Sequence, residues 1–134
     1  MDLFGKLKGI KILLIDDDEW IRGSLNIFFE NEGCHITAFE TAEEAIEGLK
    51  GQNYDIIFAD YRLPGMNGLQ FFKGTEKSHS HAIKIIITAY KSQEVISEAN
   101  SLGIQSFIEK PFSTKIIVET LSRLIEKSEY KSRN

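Results

Sequence analysis

The stretch Tyr54-Asp-Ile-Ile-Phe-Ala-Asp-Tyr-Arg-Leu-Pro-Gly-Met-Asn-Gly68 decides the fold. Four apolar residues, Ile56 to Ala59, run without a polar break into Asp60, and turn-forming proline and glycine follow. A short continuous apolar run bounded by turn residues is typical of a strand buried on both faces of a parallel sheet. Asp60 would then lie at the carboxyl end of a central strand, where open α/β sheets bind their ligands. An unpaired carboxylate beside an apolar core is costly, so the rest of the chain is expected to provide partners for it.

The composition is typical of one soluble globular domain. The chain has 134 residues, of which 42% are hydrophobic and 27% charged. We expect a single domain over 1–134, with a core at about 10–127 and a polar tail, 128–134, that frays. A net charge of −4, without a block of basic residues, argues against nucleic acid as a direct partner. The single cysteine, Cys34, is expected to be a small buried residue, and a reducing, cytoplasmic setting fits it.

No stretch approaches the roughly 20 apolar residues of a membrane span, and no apolar segment of signal-peptide length is present. We therefore expect no membrane partner.

Four further apolar runs predict strands that alternate with helices along the chain. These runs are 10–15, 34–39, 83–87 and 105–109, and the second alternates weakly between apolar and polar residues, as an edge strand does. Helix N-caps are predicted at Asp18, Thr41, Ser92 and Ser113, and a helix that Gly74 weakens is predicted from about Leu69 to Ser78. Strict alternation with short connections indicates an α/β fold with a five-stranded parallel sheet covered on both faces, a doubly wound (βα)5, flavodoxin-like arrangement.

Polar side chains follow the ends of these strands. Asp16 and Asp17 come after the first strand, Asp60 after the third, Thr88 after the fourth and Lys110 after the fifth. Because the carboxyl ends of parallel strands lie at one edge of a sheet, we expect these side chains to converge. Three neighbouring carboxylates cannot all stay ionised without a cation, and Mg²⁺ suits carboxylates that leave room for water. With a lysine charge and a threonine hydroxyl added, the set predicts a site for a tetrahedral anion.

Four motifs at these positions resemble the receiver domain of bacterial two-component response regulators. The motifs are Ile-Leu-Leu-Ile-Asp-Asp-Asp (12–18), Asp-Tyr-Arg-Leu-Pro-Gly-Met-Asn-Gly (60–68), Ile-Thr-Ala (87–89) and Lys-Pro-Phe (110–112). The resemblance extends from about Lys11 to Lys127. It implies a CheY-like fold with strand order 2-1-3-4-5. It also implies a signalling module, not an enzyme, which assists its own phosphorylation and dephosphorylation.

The resemblance implies a role for each residue of the site. Asp60 would be the phosphoacceptor and would take a phosphoryl group from a phosphohistidine on a sensor histidine kinase or phosphotransfer protein. Asp17 and Asp60 would bind Mg²⁺ directly, Asp16 mainly through water, and the main-chain carbonyl of Arg62 would complete the protein ligands. The metal and Lys110 would neutralise charge on the transferring group, so catalysis would be mostly positioning and electrostatics.

The resemblance also implies a switch. Thr88 would move inward to hydrogen-bond the phosphoryl group and draw in Phe107, the switch aromatic, and Ala89 would leave space for the phosphodonor. The Lys110–Pro111 bond is expected to be cis. The motion would remodel the surface made by the fourth and fifth predicted helices and the fifth strand, which controls a partner or output domain. The sequence leaves open whether the protein forms a homodimer on phosphorylation.

Two other functions are compatible with parts of the pattern. A Mg²⁺-dependent phosphohydrolase of haloacid-dehalogenase type would use Asp16 as nucleophile and Asp18 two residues later. Against it, Trp20 stands where that family has threonine or valine, and the late acidic pair is missing. A binding-only pseudo-receiver is the other alternative, although every reactive position is filled. Whether the chain is a stand-alone regulator or part of a longer one stays open.

Several residues near these motifs carry further predictions. Arg62 and Tyr90 lie two residues after Asp60 and Thr88, and this bulky pair is predicted to slow loss of the phosphoryl group. Trp20 is predicted to be a partly exposed packing residue and Tyr90 a surface residue. His79 and His81 are predicted to be solvated, because no third metal ligand accompanies them.

Overall fold

The computed structural model describes residues 3–75, 78–79 and 81–133. Helices and strands alternate along them after a short N-terminal helix. In chain order the elements are α1 (Leu3–Leu7), β1 (Lys11–Ile15), α2 (Glu19–Asn31), β2 (His35–Phe39), α3 (Ala42–Leu49), β3 (Ile56–Asp60), α4 (Gly68–Thr75), β4 (Ile83–Thr88), α5 (Gln93–Ser101), β5 (Ser106–Glu109) and α6 (Thr114–Arg133).

The five strands form one parallel sheet in the order β2-β1-β3-β4-β5, which confirms the predicted fold class and strand order. The register brings the carboxyl ends of the strands together. Ile15 lies opposite Ala59, Asp60 opposite Ile87, and Thr88 opposite Glu109. The last residue of each inner strand is therefore within one residue of its neighbour's end.

Apolar side chains form a buried layer on each face of the sheet. Alternate residues of β1 and β3 divide between the layers, since successive side chains of a strand point to opposite faces. Leu13, Ile57 and Ala59 pack with apolar residues of α3, α4 and α5 on one face. Ile12, Leu14 and Phe58 pack with α2, α6 and Leu7 on the other. Cys34 is buried in this second layer, as predicted, and burial raises its pKa to about 11.

The predicted N-caps are present. The carboxylate of Asp18 accepts the N–H groups of Trp20 and Ile21. The hydroxyl groups of Thr41, Ser92 and Ser113 each accept an N–H from the first turn of their helices. These bonds satisfy donors that have no partner within the helix.

Two helices differ from the sequence prediction. Helix α1 was not predicted because five residues are too few to show a helical pattern, but its Leu7 is fully buried. Helix α6 continues to Arg133, beyond Ser128, where the polar tail was predicted to begin. No glycine or proline follows Pro111, and the lysine, glutamate and arginine residues of this segment favour helix. Helix α4 ends at Thr75 in the described residues, and 76 and 77 lie outside them.

His79 was predicted to be solvated, but the structure buries it. Its Nε2 lies 3.1 Å from the Gln52 carbonyl oxygen and its Nδ1 lies 2.8 Å from Ser78 Oγ, and the residue is buried. The turn after α4 packs against the loop after α3, which sequence polarity alone does not reveal. His81 is exposed, as predicted. Within the described ranges, no helix is both long enough and apolar enough to cross a bilayer.

We predict that Gly68→Ala lowers the free energy of unfolding by about 1–3 kcal/mol, because overpacking costs that much. A Cβ at Gly68 would collide with the Asp60 carbonyl oxygen and lie 3.2 Å from Ile86 Cδ1. The measurement is urea unfolding followed by circular dichroism.

The control is Gly74→Ala in the same helix, where a Cβ meets nothing within 4 Å. It should raise stability by about 0.5–1 kcal/mol through helix propensity. Equal effects of the two substitutions would contradict the close approach at Gly68.

Candidate functional site

Main-chain hydrogen bonds beyond the strand ends hold the candidate site. The Asp16 N–H donates to the Phe39 carbonyl at 3.1 Å, and the Tyr61 N–H donates to the Ile87 carbonyl at 2.9 Å. The Lys110 N–H donates to the Thr88 carbonyl at 2.9 Å. The residues that carry the chemistry therefore continue the sheet ladder and are positioned by it.

One lysine is shared between two acids. Lys110 Nζ lies 2.7 Å from Asp60 Oδ2 and 3.0 Å from Asp16 Oδ2. Asp16 is 0% exposed and Asp60 5% exposed. The structure thus brings Asp16, Asp60 and Lys110 together as the sequence predicted.

The remaining carboxylate oxygens are not all satisfied. Asp60 Oδ1 accepts the Arg62 N–H at 3.2 Å, and Asp16 Oδ1 accepts the Asp18 N–H at 2.9 Å. Asp16 Oδ2 is buried and accepts no hydrogen bond within the described part of the chain, although Lys110 Nζ is close by. A buried carboxylate oxygen without a hydrogen bond is costly, so this atom calls for a further positive partner.

Burial and charge shift the pKa of both members of the Asp16–Lys110 pair. Burial raises the pKa of Asp16, the Asp18 N–H opposes that shift, and the Asp60 charge adds to it. Burial alone would lower the pKa of Lys110, but its hydrogen bond to Asp60 and its ion pairs with Asp16 and Asp60 together outweigh burial and raise it. Lys110 is therefore a fixed positive charge at neutral pH.

Three carboxylates form a cluster that could hold a metal ion. One oxygen each of Asp16, Asp17 and Asp60 lies within 4.8 Å of the others. Asp17 is exposed, so the cluster opens to solvent on one side. Hard oxygen ligands, one open side and the unsatisfied Asp16 oxygen fit Mg²⁺, which binds few carboxylates and keeps waters. The main-chain N–H of Arg62 donates a hydrogen bond to Asp60 Oδ1. That the main-chain carbonyl of Arg62 binds the metal stays a prediction.

The sequence patterns did not indicate two residues that support the site. Arg22 Nη1 donates to the Asp16 carbonyl at 2.9 Å. Glu43 Oε2 accepts the Met66 N–H at 3.1 Å, which ties the start of α3 to the loop after Asp60. Both contacts involve main-chain groups of the partner, so no side-chain pattern in the sequence indicates them.

A cavity of about 530 Å³ lies beside the site. Its walls include Lys110, Ala89, Pro111 and Phe112, and Trp20 lines its α2 side. Trp20 is 81% exposed, so the prediction that it packs was wrong. Trp20 lies in the first turn of α2, and its side chain is open to solvent.

Of the two residues predicted to form a switch, Thr88 ends β4 at this edge and Phe107 lies opposite Ile86, two residues before that end. Thr88 is buried, and Phe107 is partly buried against the layer that contains Ile86 and Val95. Tyr90 is at the surface, as predicted, and the Arg62 guanidinium lies 4.1 Å from the centroid of its ring. The Lys110–Pro111 peptide bond is cis, as predicted.

The arrangement matches a known family. The family model for the response regulator receiver domain matches residues 12–122. This chain belongs to the response regulator receiver family. The predicted family is therefore confirmed, and the chain is a signalling module of two-component systems.

Relatives and solved structures agree with this membership. The chain is 30% identical over 118 residues to the transcriptional regulatory protein FixJ of Bradyrhizobium diazoefficiens, covering 88% of this chain and 58% of that protein. It is 31% identical over 114 residues to the DNA-binding transcriptional regulator NtrC of Escherichia coli K12, covering 85% of this chain and 24% of that protein. The chain thus spans only part of the length of both regulators.

A CheY-like response regulator receiver domain protein from Methanospirillum hungatei JF-1 has a similar crystal structure. The TM-score is 0.86 at 25% identity, over 92% of this chain and 99% of that one. The similarity therefore covers nearly the whole of both chains.

The haloacid-dehalogenase alternative is not favoured by the geometry. It needs Asp16 as an accessible nucleophile, but Asp16 is fully buried and ion-paired. It also needs Asp18 free for acid–base chemistry, whereas the Asp18 carboxylate caps α2.

We predict that Asp16→Asn raises the free energy of unfolding in Mg²⁺-free buffer at pH 7, because a neutral amide avoids the cost of burying this carboxylate in its charged form. The raised pKa means that the folded state binds this proton more tightly than the unfolded chain. Stability is therefore lost as pH rises from the ordinary value through the raised one. The gain from the substitution should shrink as pH falls toward 4, and urea unfolding at both pH values measures it. A variant less stable than wild type at pH 7 would contradict this account.

Proposed function

We propose that this receiver domain accepts a phosphoryl group on Asp60 in a Mg²⁺-dependent reaction. The observation that carries the proposal is the position of Asp60 at the end of β3. It lies 2.7 Å from Lys110 Nζ and within a cluster of carboxylates that could hold a metal. Asp16 shares the lysine and the cluster, so the choice of Asp60 also depends on access.

The choice among the three acids rests on access and charge. Asp16 is fully buried, so a bulky phosphodonor cannot approach it. Asp17 is exposed, but no ion pair of Asp17 with a lysine occurs among the described residues. Asp60 keeps a small exposed fraction and contacts Lys110, which supports it as the acceptor.

Each side chain has a task in this proposal. Asp16, Asp17, Asp60 and the Arg62 carbonyl would hold Mg²⁺, which would supply positive charge for the transferring group. The Lys110 ammonium neutralises another part of the negative charge on the transferring phosphoryl group. The Thr88 hydroxyl donates to a phosphoryl oxygen once the group is attached.

The response follows from the motion of Thr88. Phe107 moves inward after it, and the surface formed by α5, β5 and α6 changes shape. That surface signals to an output domain or a downstream protein, and a homodimer of two such surfaces is one form of the response. The module assists its own phosphorylation and dephosphorylation but is not a turnover enzyme.

The biological partners are inferred from the family. A sensor histidine kinase or a phosphotransfer protein donates the phosphoryl group, in the cytoplasm. FixJ and NtrC are named as transcriptional regulators, and each is longer than the part this chain matches. By analogy, residues 10–127 act as a single receiver unit that controls either a linked output domain or a separate protein.

The outer face of α2, defined here as Trp20, Gly23, Ser24 and Ile27, is where the donor protein docks. Trp20 and Ile27 are exposed apolar residues one heptad apart, with two small residues between them. The cavity that Trp20 lines continues to Lys110 and Ala89. A helix seated on this face would present a phosphohistidine toward Asp60.

We predict that acetyl phosphate adds one phosphoryl group to the wild type, and only when Mg²⁺ is present. Intact-mass spectrometry measures the adduct. Asp60→Asn should carry none, because it lacks the nucleophile. No adduct under conditions that modify a known receiver would favour a binding-only pseudo-receiver instead.

We also predict that Trp20→Ala lowers the rate of transfer from a phosphorylated histidine kinase about tenfold or more, the range expected for an interface tryptophan. The rate from acetyl phosphate should not change, since that donor needs no docking surface. Ile116→Ala, at an exposed apolar residue of α6, is the matched control and should leave both rates unchanged. A parallel loss with both donors would place Trp20 in the chemistry and not in docking.

A further inference from the structure

The loop from Thr88 to Ser92 connects the end of β4 to α5, and two consecutive residues of it make cation–π contacts. The ring of Tyr90 lies against the Arg62 guanidinium, 4.1 Å from its ring centroid. Lys91 Nζ lies 5.8 Å from the centroid of the Phe107 ring. Such contacts are attractive within about 6 Å, so the first is well inside the range and the second at its limit. The loop is thus held on both sides.

The Arg62–Tyr90 contact joins this loop to the acceptor. Arg62 lies in the loop after β3, and its N–H donates to Asp60 Oδ1. Its side chain reaches across to Tyr90, whose ring is 59% exposed. Tyr90 is mostly exposed and packs little against the core. Its ring is therefore held mainly by the contact with the Arg62 guanidinium.

The Lys91–Phe107 contact joins the same loop to the switch aromatic. Phe107 is opposite Ile86 in the sheet and is partly buried against the layer below α5. A phenylalanine has no hydroxyl to anchor its outer end. The face of its ring is therefore the feature that a neighbouring group can hold, and Lys91 lies over that face.

The position of Tyr90 is coupled to Thr88. Thr88 Oγ1 accepts the Tyr90 N–H at 2.9 Å. A displacement of the Thr88 hydroxyl toward Asp60 must therefore either break this bond or carry Tyr90 with it. In the second case Tyr90 moves relative to Arg62, and in the first case the loop loses the hydrogen bond between Thr88 and Tyr90.

From these contacts we infer that Tyr90 and Lys91 are positioning residues that latch the loop in the position described here. The two cation–π contacts hold Thr88 and Phe107 back, and part of the phosphoryl binding energy is used to release them. This inference rests on the proposed function, because it assumes that Thr88 moves toward a group on Asp60. It goes beyond that function in assigning the resting position to two specific side-chain pairs.

The latch has a measurable consequence. If the shifted loop is a minor state of the free protein, the apparent affinity for a ligand that needs it is reduced by the fraction populated. Removing one exposed cation–π contact should raise that affinity about two- to fivefold. Mg²⁺ binds to carboxylates outside the latch, so its affinity should not change.

Beryllofluoride, a tetrahedral mimic of a phosphoryl group on a carboxylate, is the probe. Its affinity at saturating Mg²⁺ is measured by isothermal titration calorimetry for wild type, Tyr90→Leu and Lys91→Met. Both variants should bind beryllofluoride about two- to fivefold more tightly than wild type, with the larger gain in Tyr90→Leu. The controls Tyr90→Phe, which keeps the ring, and Lys91→Arg, which keeps the charge, should bind like the wild type.

The outcomes separate the latch from the proposed function. Mg²⁺-dependent binding to wild type with equal affinity in Tyr90→Leu and Lys91→Met overturns the latch alone. Weaker binding in those variants also overturns it, because the contacts would then support the shifted loop. No binding to wild type overturns the proposed function and the latch together. A gain in both variants that the two controls do not share supports the latch.

Discussion

The structure depends on one ammonium group placed between two buried carboxylates. Lys110 Nζ contacts both Asp16 and Asp60, and Asp17 adds a third acid at the solvent side. One positive charge cannot balance three negative ones, and Asp16 Oδ2 still accepts no hydrogen bond among the described residues. A cation bound at this edge would supply the positive charge that the three acids lack. The rest of the fold holds these charges at close range.

The parallel sheet explains how residues far apart in the chain reach that range. Main-chain bonds from Asp16, Tyr61 and Lys110 extend the ladder past the strand ends. Burial of the two apolar layers fixes the sheet, and the sheet fixes the charges. Arg22 and Glu43 then brace the two loops that carry Asp16 and Arg62. Local packing and site geometry therefore depend on each other. At position 68, for example, the Asp60 carbonyl occupies the space that a side chain would need, and the residue there is glycine.

Sequence reasoning found what depends on periodicity and on strand ends. It predicted that Asp16, Asp60 and Lys110 lie close together, because the carboxyl ends of parallel strands meet at one edge of the sheet. It did not find what depends on tertiary contact. The buried His79 bonds to a main-chain carbonyl of another loop, Arg22 and Glu43 bind main-chain groups, and α1 is too short for a pattern. Trp20 was misjudged because hydrophobicity indicates burial only on average, and this tryptophan is 81% exposed.

The central claim is that Asp60 carries the phosphoryl group, and the position of the modified residue tests it most directly. An acyl phosphate is reduced by borohydride to an alcohol, so a phosphorylated aspartate becomes homoserine. Peptide mapping by mass spectrometry after acetyl phosphate, Mg²⁺ and borohydride should find homoserine at position 60, and none when Mg²⁺ is chelated. Homoserine at position 16 or 17, or at no position, would contradict the account.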